Sequence, residues 1–153
     1  MEIGNIIPSV LGYNAAGEVV TTDDFAGTPL IIYFYPKDNT PGCTAEACSL
    51  REDYAKLRAL GYQVIGISKD SIDSHKKFAQ KYALQFHLLS DPDTTVNQAF
   101  GVWQKKKMAG REYMGTVRTT FVTDKDHRIT HIINKVDTKN AGQQLIDVIG
   151  GKN

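Results

Sequence analysis

The feature that most constrains this chain is a six-residue apolar run, Leu30-Ile-Ile-Tyr-Phe-Tyr35, stopped by Pro36 and followed by Thr40-Pro41-Gly42-Cys43. A short run of β-branched and aromatic residues, ended by a residue with no backbone N–H, reads as a buried strand. Thr at a cap position and Pro in the first turn then open a helix. Gly61 closes that helix just after Leu60. One strand and one long helix are therefore joined by a short loop, and a cysteine sits at the helix start.

The rest of the chain repeats the alternation. Val19-Val20-Thr21, set among Gly4, Gly12, Gly17 and Gly27, reads as part of a loop with one or two short strands. Residues 63–68 read as a strand, 71–82 as a helix, 86–89 as a short strand and 94–100 as a short helix behind Asp93. The polar, basic segment 101–115 reads as a long loop or an irregular hairpin. Strands over 117–123 and 128–133 are joined by Asp124-Lys-Asp-His127, which suits a hairpin turn. A last helix covers 139–149. This order predicts one α/β domain over residues 1–153 with a mixed sheet, compatible with a thioredoxin-like fold.

Composition narrows the function classes. The 153 residues are 41% hydrophobic and 23% charged, the mix of a folded domain. Eighteen Lys and Arg against seventeen Asp and Glu leave a net charge of +1, without the basic excess of a nucleic-acid binder. No apolar stretch approaches membrane-span length. The first basic residue is Lys37, so no charged leader precedes an apolar segment. The expectation is a cytoplasmic protein with no nucleic-acid or membrane partner.

The two cysteines, Cys43 and Cys48, are too few and too close for a disulfide scaffold. No CxxC pair marks a zinc site, and His75, His87, His127 and His131 do not cluster near the cysteines in sequence. A metal site would have to assemble in space, so no metal or cofactor is expected. His127 and His131 fall on a turn and a strand and read as surface histidines. Composition alone would make Cys43 a small buried apolar side chain. Its placement argues otherwise. As the third residue of a helix capped by Thr40, it lies among backbone N–H groups without intrahelical acceptors and at the positive end of the helix dipole, both of which favour a thiolate. The Thr40 hydroxyl is placed to donate to it, and Gly42 lets another group come close to the sulfur.

Five residues of helix separate Cys48 from Cys43 by about 7.5 Å of rise and roughly 140° of rotation. A disulfide needs Cα atoms about 4.4–6.8 Å apart. The two therefore cannot bond within one regular helix, and any bridge requires the first turns to unwind. Such a pair suits a sulfenic acid on Cys43 that is trapped by a resolving thiol, the chemistry of hydroperoxide reduction. Other nucleophile patterns fail on spacing: Glu46 stands where a CxxC would place its second cysteine, Ser49 stands where a phosphatase loop needs Arg, and no GxSxG, Walker A, GxGxxG or HExxH run occurs.

The stretch YFYPKDNTPGCTAEACSLRED, from Tyr33 to Asp53, resembles the active-site segment of the peroxiredoxins, nearest the Q-type or bacterioferritin comigratory group. VIGISKDS, FHLLSDPD, AFGVW and GTVRTTFVTD extend the resemblance over nearly the whole chain. It implies a thioredoxin-like fold with a central mixed sheet of about five strands, flanking helices and a short N-terminal strand or hairpin. It also implies a thiol peroxidase acting on hydrogen peroxide and organic hydroperoxides. By resemblance, Cys43 is the peroxidatic cysteine, Thr40 hydrogen-bonds thiolate and peroxide, Pro36 shields the site from water, and Arg118 stabilises thiolate and substrate. Spacing alone does not separate Arg118 from Arg51, Arg58, Arg111 and Arg128. Cys48 matches the resolving cysteine, which implies an intramolecular disulfide, reduction by thioredoxin or a similar dithiol, and a monomer. Glu46 and Arg51 match the pattern as charges on the helix face that help fix the site, a plain solvated face being the alternative. Trp103 reads as packing near the site mouth, and Lys105-Lys106-Lys107 as a solvated basic run. Ile7-Pro8, Val10 and Thr123 depart from the usual residues at packing positions. Two other functions fit a thioredoxin-like scaffold: a disulfide-exchange relay, against which the missing CxxC counts, and a non-enzymatic interaction domain.

Overall fold

The computed structural model describes residues 1–150. Its strands are β1 (Val10–Tyr13), β2 (Val19–Thr21), β3 (Leu30–Phe34), β4 (Gln63–Ser68), β5 (His87–Ser90), β6 (Trp103–Met108), β7 (Arg111–Thr116), β8 (Thr119–Thr123) and β9 (Ile129–Ile133). Its helices are α1 (Pro41–Ala59), α2 (Ile72–Tyr82), α3 (Thr95–Ala99) and α4 (Ala141–Ile149), with a 3-10 turn at Thr22–Phe25.

β3 is the axis of the molecule. It pairs in parallel with β4 and antiparallel with β8, and all five of its residues are buried. Side chains on a strand alternate between faces, and here both faces are covered. Leu30, Ile32 and Phe34 pack with Ile65, Ile67, Leu89, Phe100 and Phe121 on one side. Ile31, Tyr33 and Tyr35 meet Leu50, Leu57, Phe78 and Leu145 of α1, α2 and α4 on the other. The apolar run needs that double cover, and it explains the mixed α/β architecture.

The sheet order is β2-β1-β5-β4-β3-β8-β9. It therefore holds seven strands: the expected central five, β5 to β9 in that order, extended by the N-terminal hairpin through a single Tyr13–Ser90 pairing. The segment expected as a loop or irregular hairpin is instead a regular β6–β7 ribbon, in register from Trp103–Thr116 to Met108–Arg111. Its two-residue turn, Ala109-Gly110, has φ of 52° and 79°, the double positive φ that matches strand twist in a tight hairpin. Among the described residues, no helix is long and apolar enough to cross a membrane.

Candidate active site

The site lies where β3 hands over to α1. The helix begins at Pro41 after an extended Thr40 cap, so Cys43 is its third residue. Cys43 is 2% exposed and belongs to the core cluster on the α1 side of the sheet. Burial alone would leave its sulfur inert, and the neighbours alter that.

Arg118 stands in the short link between β7 and β8 and reaches across to the start of α1. Its Nη2 donates to Cys43 Sγ at 3.3 Å and its Nη1 donates to Glu46 Oε1. Gly42 makes room for it: a Cβ there would lie 3.3 Å from Arg118 Nη2. Burial works against the guanidinium's charge, but Glu46 and Cys43 outweigh it and hold the Arg118 pKa above the usual arginine value. Glu46 is itself enclosed, its side chain 1% exposed. Burial pushes its carboxyl up to about 7, against the pull of Arg118. Among the described residues, its second oxygen, Oε2, has no hydrogen-bond partner, and neither does the buried hydroxyl of Tyr33. Burial, reinforced by Glu46, raises the Tyr33 phenol well above its ordinary value.

The structure brings together Cys43, Arg118 and Glu46, with Thr40 as the cap and Pro36 half-buried in the preceding loop. Two expectations need correction, for Thr40 and Arg51. The Thr40 hydroxyl donates to the Lys37 carbonyl at 2.9 Å instead of to the Cys43 sulfur. Glu46, read as a charge that helps fix the site, is a buried partner of Arg118. Arg51 lies away from the site: it donates to the Tyr82 carbonyl at 2.8 Å and to Glu52 at 2.6 Å. Cys48 is half-buried further along α1, and both thiols are free. Trp103 opens β6, half-buried, with Lys69 Nζ 6.0 Å from its ring.

The histidines divide. His127 is buried, not on the surface: its Nε2 donates to the carbonyls of Phe25 and Thr28. His75 is buried against Asp38, a pairing that sequence reading missed. Its signal was Phe78 three residues on, which puts His75 on the inward face of α2. Among the described residues no three His, Cys, Asp or Glu side chains gather as metal ligands would.

Comparison with known proteins fits this geometry. The AhpC/TSA family model matches residues 3–132. Peroxiredoxin Bcp of Bacillus subtilis is 42% identical over 149 residues, covering 97% of this chain and 95% of that one. Peroxiredoxin Bcp of Escherichia coli is 41% identical over 140 residues, 92% of this chain and 90% of that one. A Xanthomonas campestris bacterioferritin comigratory protein, solved in trapped intermediate and ligand complexes bearing on its alkyl peroxide reduction activity, superposes with a TM-score of 0.87 at 28% identity over 98% of both chains.

Proposed function

The chain belongs to the AhpC/TSA family as a peroxiredoxin of the Bcp/PrxQ kind, a thiol peroxidase, and we propose that Cys43 is its peroxidatic residue and Cys48 its resolving one. The observation that carries this is the Arg118 Nη2 contact to Cys43 Sγ at 3.3 Å, at the first turn of a helix. A guanidinium and unpaired helical N–H groups together favour the thiolate, which is the nucleophilic form.

The thiolate attacks one oxygen of ROOH. The O–O bond breaks, an S–O bond forms, and the departing alkoxide takes up a proton, equal to the one released when the Cys43 thiol ionised, and leaves as ROH. Arg118 faces the position where negative charge moves from sulfur to oxygen. The Thr40 hydroxyl spends its proton on the Lys37 carbonyl, so toward the site its oxygen can only accept, as from the O–H of a hydroperoxide. Pro36, with no N–H and half-buried beside the loop, limits water at the sulfur. Cys43 is left as the sulfenic acid.

Resolution follows. The Cys48 thiol attacks the Cys43 sulfenic sulfur, an S–S bond forms, and the hydroxyl leaves as water. Both cysteines stand in one continuous α1, so the first turns must unwind for the sulfurs to meet. A dithiol protein of the thioredoxin type then reduces the bridge, returning two thiols, and the enzyme works as a monomer. The test is peroxide consumption with thioredoxin and its reductase. Wild type is expected to turn over, Cys43→Ser to be inactive, and Cys48→Ser to lose the disulfide-dependent cycle. Full turnover by Cys43→Ser would refute the assignment.

A further inference from the structure

Outside the Cys43 site, two buried titratable side chains face each other directly. Asp38, in the loop between β3 and α1, and His75, on α2, have side chains only 3% and 5% exposed. Asp38 Oδ2 accepts from His75 Nδ1 at 2.7 Å and from Ser74 Oγ at 2.8 Å. Its Oδ1 accepts from the Tyr35 hydroxyl at 2.6 Å, and its backbone N–H donates to Asp70 Oδ2 at 2.8 Å. His75 Nε2 faces the Leu89 carbonyl at 3.1 Å.

The next residue is held from the same helix. Asn39 is in the left-handed region, φ 59°, and its Oδ1 accepts from Lys81 Nζ and from the Tyr82 hydroxyl, each at 3.3 Å. Residues near both ends of α2 thus grip the two positions just before the Thr40 cap. Among the described residues the sulfur of Cys43 is hydrogen-bonded by Arg118 and by none of these groups, so they serve no chemical step directly. Their bonds fix the chain at the point from which α1 departs. A first turn that has to unwind for resolution must do so against that anchor, and breaking one partner of a buried pair is costly because the other charge stays buried.

We propose that the Asp38–His75 pair positions the start of α1 and thereby sets how readily its first turn unwinds, and so how fast Cys48 reaches the Cys43 sulfenic acid. The proposal rests on the resolving role given to Cys48 above. Reduced protein is mixed with one equivalent of hydrogen peroxide, quenched with acid at intervals and weighed intact. Sulfenic acid (one added oxygen) and disulfide (two lost hydrogens) are then followed separately. In His75→Gln the second step is expected to quicken at least threefold while the first does not quicken. Ser74→Ala, a milder lesion that decides the matter should His75→Gln not fold, is expected to move the second step the same way by less. His127→Gln, at a buried histidine in another part of the fold, is expected to leave it unchanged. General softening would quicken resolution in His127→Gln as well, and that result overturns the proposal. So does an unchanged or slower second step in the α2 variants. If wild type never loses two hydrogens, the resolving role of Cys48 fails first, and the mass separates that failure from the other.

Discussion

Cys43 and Cys48 ride on the same helix five residues apart, and each has an arginine within reach of its field. The two arginines behave differently. Arg118 is half-enclosed and aims one nitrogen at Cys43 Sγ and another at Glu46. Arg51 turns from Cys48 toward the Tyr82 carbonyl and the exposed Glu52. Cys43 also occupies the first turn of α1, and Cys48 does not. Identical side chains on one helix therefore meet different surroundings, and under the proposed assignment helix position and the direction of one guanidinium separate their roles.

Arg118→Met should erode that contrast most. Loss of a donor aimed at developing charge costs about 10²–10³ in rate, so its kcat/KM for hydrogen peroxide should fall by about that factor, with Arg118→Lys between it and wild type. Stopped-flow kinetics would check this.

Glu46 comes next. Its carboxyl is raised from 4.5 to about 7 in the fold, so the folded state holds the proton more tightly than the unfolded chain. The stabilisation is complete below about pH 4.5 and is lost as pH rises through about 7, an effect of about 3 kcal/mol. Denaturant titrations of wild type at pH 5 and pH 8 should show that decline, and Glu46→Gln should show a flatter profile. Equal slopes would mean that Glu46 does not titrate as its burial implies.

Thr40→Val removes the hydroxyl bond to the Lys37 carbonyl, worth about 1 kcal/mol. It should lower thermal stability by a few degrees and slow peroxide reduction by about tenfold or less, while Thr40→Ser retains both. Arg51→Ala should do least. Its partner Glu52 is exposed, and such pairs contribute about 0–1 kcal/mol. The peroxide step should stay within about twofold of wild type, an effect under 0.5 kcal/mol. A large loss there would break the distinction between the two arginines.

Much of this was legible in the sequence for physical reasons. The apolar run with Pro36 behind it announces β3, and Thr40-Pro41 announces the start of α1, because local chemistry decides both. The β6–β7 ribbon was harder to see. Lys105 and Lys107 are exposed, so no alternation of apolar and polar residues marks the strands; the positive φ at Ala109 and Gly110 makes the turn instead. His127 reads as solvated because polar residues usually are, and for Glu46 a solvated face stands beside the reading that it helps fix the site. Each is buried by a partner distant in sequence: Arg118 for Glu46, and the carbonyls of Phe25 and Thr28 for His127. Thr123, unusual as a packing residue, has a polar task, accepting from the Leu30 N–H at 3.1 Å. The Asp38–His75 pair joins residues 37 apart, and one half of it gives no sign of the other.

The most direct test of the account is mass spectrometry of reduced protein after one equivalent of hydrogen peroxide, in wild type, Cys48→Ser and Cys43→Ser. The account predicts that wild type loses two hydrogens, with the bridge mapped to Cys43 and Cys48, that Cys48→Ser gains one oxygen on Cys43, and that Cys43→Ser stays unoxidised on the same timescale. Oxidation of Cys43→Ser at the wild-type rate would contradict it.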